Sequence, residues 1–343
     1  MIHVLDVTFP FFALVLVGWA AARIGWLPLD SIPALNLFVL YFALPCMLFR
    51  FAAATPLARM FDPSVFGTWL LCALAMTALA VAAARRGGMD WNNAAFGALV
   101  AAFPNSGFMG VPLLVELLGP KAAAPAIVAL AVDMVVTTSL CIALSRLDAA
   151  DAHGAERAAQ QALRGMALNP LPWAIAAGCV VAGTGWVLPQ MLMKPVAMLA
   201  DAASPAALFT IGAMLARAQA RTKSGAMARG NAPGTTPTPP SPVIVTVAAA
   251  RHDEPLVVAF KLVLHPLLVY AAGRGAMALG APLDAFAVEV LTLLAAMPSA
   301  SNVTMLAERF GADAGRIARI VLWTTAAAFG TFTLAVAMFG GGA

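Results

Sequence analysis

Charged residues are scarce in this chain of 343 residues. They make up 10% of the sequence, whereas hydrophobic residues make up 62%, and the mean hydropathy is +0.89. A soluble domain carries about a quarter charged residues, so this composition excludes that class and predicts a polytopic membrane protein. The net charge of +4 is small, so the placement of the charges along the chain is more informative than their sum.

Cysteines and catalytic motifs are scarce as well. The four cysteines lie in apolar stretches with neither metal-ligand spacing nor a disulfide framework, which favours packing roles: Cys46, Cys72, Cys141 and Cys179. The chain lacks H-E-x-x-H, G-x-S-x-G, an intramembrane aspartate pair and the lysine motif of ATP-driven pumps. We therefore expect no metal and no cofactor, and we disfavour an integral-membrane enzyme or a primary pump.

Ten apolar segments approach the length of about 20 residues that a membrane-spanning helix requires. No Lys or Arg occurs in residues 1–6, which argues against a cleaved signal peptide. Residues 217–254 include a proline-rich part at 230–242, which predicts a disordered loop rather than a proline-rich ligand for a partner domain. The ten apolar segments that predict membrane-spanning helices are about 8–25, 34–54, 64–84, 92–118, 122–145, 169–188, 194–216, 256–279, 284–308 and 314–339.

Loop charges predict the orientation of these segments. With the N-terminus outside, 14 of the 20 Lys and Arg residues lie in cytoplasmic loops and five in outer loops, while Lys261 lies inside a helix. Both termini are then extracytoplasmic. Five segments per half is an odd number, so the second half is inverted relative to the first. The predicted fold is all-α and integral to the membrane, with two inverted five-helix repeats (1–146 and 169–343) and a cytoplasmic linker at 147–168.

Two of the ten segments are interrupted at matching places. The fourth contains Pro104 within Ala-Ala-Phe-Pro-Asn-Ser-Gly-Phe-Met-Gly-Val-Pro (101–112), and the ninth contains Pro298 within Ala-Ala-Met-Pro-Ser-Ala-Ser-Asn (295–302). Proline removes a backbone donor and breaks or kinks a helix. In lipid, such a break is tolerated only where the freed groups are buried in protein or line a cavity. Two broken helices in corresponding positions of two halves indicate a transporter binding site.

Small polar residues follow each break. Half-helix N-termini favour anions, and neutral Asn and Ser donors can bind a carboxylate without a buried charge. The alternative interpretation is that these residues form packing kinks, because small residues also serve helix–helix contacts. The candidate substrate contacts are Asn105, Ser106 and Gly107 after the first break and Ser299, Ser301 and Asn302 after the second.

Ionisable residues at membrane depth are functional candidates. Asp133 lies near the middle of the fifth segment, while Lys261 and His265 lie one turn apart on the eighth. We treat these three as candidates for ion coupling, with an Asp133–Lys261 pair as one arrangement and a packing role for His265 as another. Lys261, together with Glu116 and Glu289, could instead extend to the membrane interface.

The chain resembles the auxin efflux carrier family over nearly its whole length. The resemblance rests on Asn36 to Pro45 in the second segment, on Pro104 to Pro112, on Lys261 to Pro266 and on Ala296 to Ala300. It implies ten helices in two inverted repeats, a scaffold and a transport domain, helices crossing at Pro104 and Pro298, and a dimeric elevator-like carrier. It adds Asn36 and Tyr41 as weaker substrate contacts. Loop 217–254 is longer than the family pattern.

The sequence therefore predicts a secondary transporter of small organic anions in the lipid bilayer of the inner or plasma membrane. Malonate, malate and auxin-like acids are examples of this class, but members of the family differ in what they move, so the resemblance does not identify the substrate. A homodimer is expected. A sodium- or proton-coupled version using Asp133 remains open. A channel would conduct without saturation, and a receptor would need an output domain that the chain lacks. Nucleic-acid binding is not expected, because the basic residues lie in short loops beside membrane segments.

Overall fold

The computed structural model describes residues 2–60, 62–148, 160, 167, 169–230 and 253–339. Within these ranges the regular elements are helices, and the one β-type pairing joins single residues. Each of the ten predicted segments overlaps at least one of these helices. They are α1 (Ile2–Arg23), α2 (Ile32–Ala53), α3 (Pro63–Arg86), α4a (Trp91–Ala102), α4b (Ser106–Leu118), α5 (Pro120–Leu144), α6 (Pro170–Thr184), α7 (Gln190–Gly230), α8 (Glu254–Ala278), α9a (Ala285–Ala295), α9b (Asn302–Arg309) and α10 (Ala314–Phe339).

Six described helices are long and apolar enough to cross a membrane: α2, α3, α5, α7, α8 and α10. Shorter apolar helices occupy Phe9–Arg23, α4b, α6 and α9a. The protein is thus an all-helical integral membrane protein.

The loop expected at 217–254 begins later than the sequence suggested. Helix α7 continues to Gly230, because the residues from Arg217 to Arg229 are mainly Ala, Arg, Lys and Met, which are strong helix formers. The proline-rich part of the predicted loop lies outside the described residues, as does most of the predicted linker at 147–168.

Helix starts follow local capping chemistry. The Asp62 carboxylate accepts from the N–H of Ser64 and of Val65 at the start of α3, with Pro63 at the first helical position. Asp90 and Asp284 cap α4a and α9a in the same way, each accepting the N–H three residues on. The two broken helices therefore begin with equivalent caps.

Three helices widen into a π-turn two residues before a proline. The turns Val39–Ala43, Ser106–Gly110 and Phe260–Leu264 precede Pro45, Pro112 and Pro266. Proline lacks an N–H and clashes with the carbonyl four residues earlier. A π-turn accommodates that clash without breaking the helix, which explains how these proline-containing segments remain continuous.

The helices form two packed groups. Helix α1 packs along α7, and α2 packs against α6 and α7. In the second group, α3 packs against α4a, α5 and α8, while α8 also packs against α9a and α10 packs against α9b. The two broken helices lie in the second group, and α4b touches α1 and α7 of the first.

Six helix ends of the second group meet at one end of the molecule. Arg146 at the end of α5 lies over the Phe310 ring after α9b, 5.2 Å from its centre. The Asn92 amide of α4a donates to the Phe310 carbonyl at 3.1 Å, and the Trp91 N–H donates to Asp148 at 2.6 Å. This end carries the basic residues Arg85, Arg86, Arg146, Arg309, Arg316 and Arg319.

Glycines allow α1 and α7 to touch backbone to backbone. A Cβ placed on Gly212 would lie 1.8 Å from the carbonyl oxygen of Val15 and 2.7 Å from the amide nitrogen of Trp19. A Cβ on Gly18 would lie 1.9 Å from the carbonyl oxygen of Phe209. Close backbone approach through small residues is the usual way for membrane helices to associate.

We therefore expect Gly212→Ala to separate α1 from α7 and to lower the melting temperature in detergent by at least about 3 °C, because overpacking against backbone cannot relax by side-chain rotation. The matched control is Gly275→Ala on α8, where an added Cβ meets nothing within 4 Å. A melting temperature for Gly212→Ala equal to that of the control would contradict the tight contact.

Candidate functional site

The two broken stretches pair with each other as a short antiparallel β-bridge. The Asn105 N–H donates to the Pro298 carbonyl at 2.8 Å, and the Ala300 N–H donates to the Phe103 carbonyl at 3.0 Å. The bridge is centred on Pro104 and Ser299. Each break thus satisfies backbone groups that the other has freed, as burial in an apolar environment requires.

The Ser299 hydroxyl replaces a helix hydrogen bond that Pro104 cannot make. In a continuous helix the Val100 carbonyl would accept the N–H of residue 104, but proline has none. The Ser299 hydroxyl donates to that carbonyl instead, at 2.7 Å, and the Ser299 N–H is 3.3 Å from Oγ1 of Thr324 on α10. Ser299 is 1% exposed, so it acts here as a structural residue of the crossing.

At the crossing, the Asn105 side chain has a buried polar atom without a hydrogen-bond partner. Its carbonyl accepts from the N–H of Met109 at 3.1 Å and of Gly110 at 2.9 Å, which fixes its backbone. Its side chain is 3% exposed, and the amide oxygen Oδ1 accepts no hydrogen bond. A buried polar atom without a partner costs free energy unless something else binds there. Rotation of the amide presents its NH₂ group at the same place.

Two half-helix N-termini begin beside Asn105. Helix α4b starts at Ser106 and α9b at Asn302, with Ser301 in the capping position. Ser106 is buried, with its N–H on the Pro104 carbonyl at 2.7 Å, and Ser301 is 5% exposed. Gly107 is buried near Leu130 of α5. The structure therefore brings together the residues predicted after the two breaks.

The two weaker candidates on α2 differ. The Asn36 amide, 5% exposed, donates to the Met305 sulfur of α9b at 3.4 Å, so Asn36 reaches the second broken helix. The Tyr41 side chain is 48% exposed and lies on a face of α2 with exposed Leu37 and Phe42. The structure does not bring Tyr41 to the crossing, and its role as a contact stays a prediction.

The three candidate coupling residues form a buried cluster next to the break in α9. Asp133 accepts the Thr137 hydroxyl at 2.9 Å within a π-turn of α5. Lys261 is 0% exposed and donates to the Ala295 carbonyl at 2.7 Å, with His265 Nδ1 3.0 Å from its ammonium. Extension of Lys261 to the membrane interface is therefore wrong. Its hydrogen bonds go to Ala295 and His265, so the direct ion pair with Asp133 is also wrong.

The two glutamates behave differently from each other. Glu116 on α4b is exposed, as extension to an interface would require. Glu289 on α9a is 7% exposed, and one of its carboxylate oxygens, Oε1, is buried without a hydrogen bond. The interfacial interpretation of Glu289 is therefore wrong, because nearby helices cover its side chain.

An ion-pair network at the basic end was not anticipated from the sequence. Arg316 is 0% exposed, pairs through two nitrogens with Asp253 and donates to the Asn93 carbonyl at 3.0 Å. Arg319 pairs with Glu254 at 2.6 Å. The signal was the pair of acidic residues at the start of α8 and the two arginines at the start of α10, but sequence alone does not reveal that these ends meet.

Two broken helices that cross inside a helical membrane protein are an architecture of secondary transporters. The comparisons with known proteins agree. A sequence model of the family described as "Membrane transport protein" matches residues 3–336. The chain therefore belongs to this family, and the resemblance to the auxin efflux carriers is confirmed.

A curated relative comes from Rhizobium meliloti (strain 1021). That protein bears the name "Putative malonate transporter" and is 27% identical over 341 residues, which cover 97% of this chain and 95% of the relative. Family and relative together identify the present protein as a membrane transporter and not an enzyme. Among the described residues, no group of three His, Cys, Asp or Glu is placed to hold a metal ion.

We expect Ser299→Ala to destabilise the protein by about 1–3 kcal/mol, because it leaves the buried Val100 carbonyl without a donor. Thermal unfolding in detergent measures the loss. Thr333→Val removes an exposed α10 hydroxyl that donates to the Phe329 carbonyl and serves as the control. If both variants melt at the wild-type temperature, the Ser299 hydroxyl does not hold the crossing together.

Proposed function

We propose that this protein is a secondary transporter of small mono- or dicarboxylates and that it binds them at the crossing of α4 and α9. The observation that carries the proposal is the buried, unpartnered amide of Asn105 between two half-helix N-termini. Malonate is the substrate that the relative's name favours, and malate or auxin-like acids are alternatives within the same chemical class.

The chemistry of the crossing suits an anion. Backbone N–H groups at the starts of α4b and α9b provide positive partial charge, and Asn105, Ser106, Ser301 and Asn302 add neutral hydrogen-bonding groups. The Lys261 ammonium next to the break in α9 is already bonded to the Ala295 carbonyl and to His265. Substrate charge would thus be balanced mainly by dipoles, which permits release more readily than a buried ion pair does.

Transport through this site requires movement. Residues 101–110 and 291–300 are all buried, so the crossing is closed to solvent in the described conformation. Alternating access follows if the group containing α3, α4, α5, α8, α9 and α10 moves against the group containing α1, α2, α6 and α7. An elevator-like displacement keeps the β-bridge and the Ser299 bonds intact, because both lie within the moving group.

The packing supports two inverted five-helix repeats. In two such repeats, α1 corresponds to α6, α2 to α7, α3 to α8 and α4 to α9. The contact of α1 with α7 then corresponds to that of α6 with α2, and the contact of α3 with α4a to that of α8 with α9a. Both members of each pair occur. The end of α3 and the start of α8 also lie at the same basic end, as do the end of α5 and the start of α10, so helices of equal rank run in opposite directions.

We infer from the positive-inside rule that the basic end faces the cytoplasm, with both termini on the outer side of an inner or plasma membrane. A homodimer is part of the proposal through the family resemblance alone. Coupling to protons or sodium through Asp133 is the alternative to uncoupled transport, since this buried carboxylate has an oxygen, Oδ2, without a hydrogen bond.

Thermal stabilisation in detergent tests the site. Malonate, malate, succinate, 2-oxoglutarate, pyruvate and an indole acid would each be titrated against the purified protein. A ligand that binds only the folded state at about 100 times its Kd adds about 2.7 kcal/mol of stability. We expect a dose-dependent rise with at least one acid, and its loss in Asn105→Ala and in Asn105→Asp, where the new carboxylate repels the anion.

Asn92→Ala is the matched control for this experiment. It removes the same amide from the same broken helix, but at the basic end, where Asn92 bonds to Phe310. This variant should retain the acid-dependent rise whatever its own stability. A well-folded Asn105→Ala protein with a wild-type response would reject Asn105 as a contact, and wild-type protein unaffected by every acid would reject the carboxylate class.

A further inference from the structure

The C-terminal end of α9a is occupied by a side-chain cation. Ser299 would normally donate its N–H to the Ala295 carbonyl, but that N–H points to Thr324, and Pro298 has no N–H to offer. The carbonyl at this half-helix end carries negative partial charge. The Lys261 ammonium binds it at 2.7 Å. In other transporters with broken helices, such carbonyl ends bind a coupling cation.

The bond between Lys261 and His265 fixes the histidine tautomer. An ammonium group has only donors, so Nδ1 of His265 must accept from it and the ring proton must lie on Nε2. Nε2 is therefore a donor, and it is buried without a partner. The Trp69 indole packs on this ring, with the ring centres 5.5 Å apart. Its N–H is directed to the Asp133 carboxylate but is buried without a hydrogen bond of standard geometry.

Donors therefore outnumber acceptors in the cluster. The donors are the free proton of Lys261, His265 Nε2–H and Trp69 N–H, whereas the free acceptor is Oδ2 of Asp133. Asp133 on α5 and Lys261 on α8 are each 0% exposed, and both helices pack against α3 and α9a. The two side chains interact electrostatically without a direct ion pair. A sodium ion needs several oxygen ligands with no competing donors. The cluster as built offers a fixed positive charge where such an ion would bind.

We propose that Lys261 is a tethered cation that fills a monovalent-cation site made by the Ala295 carbonyl and the Asp133 carboxylate. The wild-type carrier therefore takes no sodium ion at this place. Removal of the amine opens a site for Na⁺ or a small alkylammonium ion. This extends the proposed carrier function by excluding sodium coupling through Asp133, but its test needs no transported substrate.

The test is thermal unfolding of Lys261→Ala at constant ionic strength, with choline replaced stepwise by Na⁺ or by ethylammonium. The variant should be less stable than wild type in choline, because Asp133 loses its compensating charge. We expect Na⁺ or ethylammonium at about ten times its Kd to raise the melting temperature by about 2–4 °C. Wild type and Lys121→Ala, which removes an exposed lysine at the start of α5, should show no such selective rise.

Selective stabilisation of the wild type by Na⁺ over choline would overturn the proposal, and so would a folded Lys261→Ala protein that ignores both cations. If Lys261→Ala does not fold, Lys261→Met alone and combined with Asp133→Asn decide the matter. The double variant must be more stable than Lys261→Met, because it removes the uncompensated carboxylate. Equal stability of the two would show that Lys261 does not balance Asp133. Failure of every acid to bind would reject the carboxylate site and leave this result unaffected.

Discussion

The β-bridge between the two broken helices is the constraint on which the rest of the structure depends. A proline inside an apolar segment frees backbone groups that lipid cannot satisfy. Here the two breaks satisfy each other through Asn105 with Pro298 and Ala300 with Phe103. Neither break could be buried alone, so α4 and α9 must cross at their prolines. Once they do, two half-helix N-termini and two half-helix C-termini are brought close together.

The four half-helix ends are treated differently by the surrounding residues. At the C-terminal end of α4a, the Ser299 hydroxyl donates a hydrogen bond to the Val100 carbonyl. At the C-terminal end of α9a, the Lys261 ammonium donates to the Ala295 carbonyl. At the N-terminal ends, the Asn105 side chain is buried with Oδ1 unbonded. The carbonyls at the C-terminal ends are thus hydrogen-bonded by protein side chains, whereas the Asn105 side chain beside the N-terminal ends remains free to bind a ligand. This asymmetry favours an anionic ligand at the crossing.

The sequence predicted the helices and the breaks well, because hydropathy and proline act locally. Ten segments and the positions of Pro104 and Pro298 follow from residue order alone. The roles of individual polar residues did not follow, since they depend on which helix lies opposite. Ser299 was predicted as a ligand contact, and the structure adds a hydrogen bond from its hydroxyl to the Val100 carbonyl that the sequence did not reveal. Lys261 was expected at the interface or on Asp133 and instead binds the Ala295 carbonyl. The pairing of the buried Arg316 with Asp253 was not predicted, because the sequence does not show that the starts of α8 and α10 meet. Helix α7 extended beyond its apolar stretch because helix propensity continues where hydrophobicity ends.

The central claim is that a small carboxylate is carried through the crossing of α4 and α9. Counterflow of labelled malonate in proteoliposomes tests it most directly. Exchange driven by internal unlabelled substrate requires a saturable carrier, and it needs no imposed gradient of a coupling ion. The account predicts transient accumulation of label that saturates with malonate, is competed by other dicarboxylates and is absent from vesicles containing Asn105→Asp. Label entry that rises linearly with concentration, or that is the same with Asn105→Asp, would contradict a carrier site at this crossing.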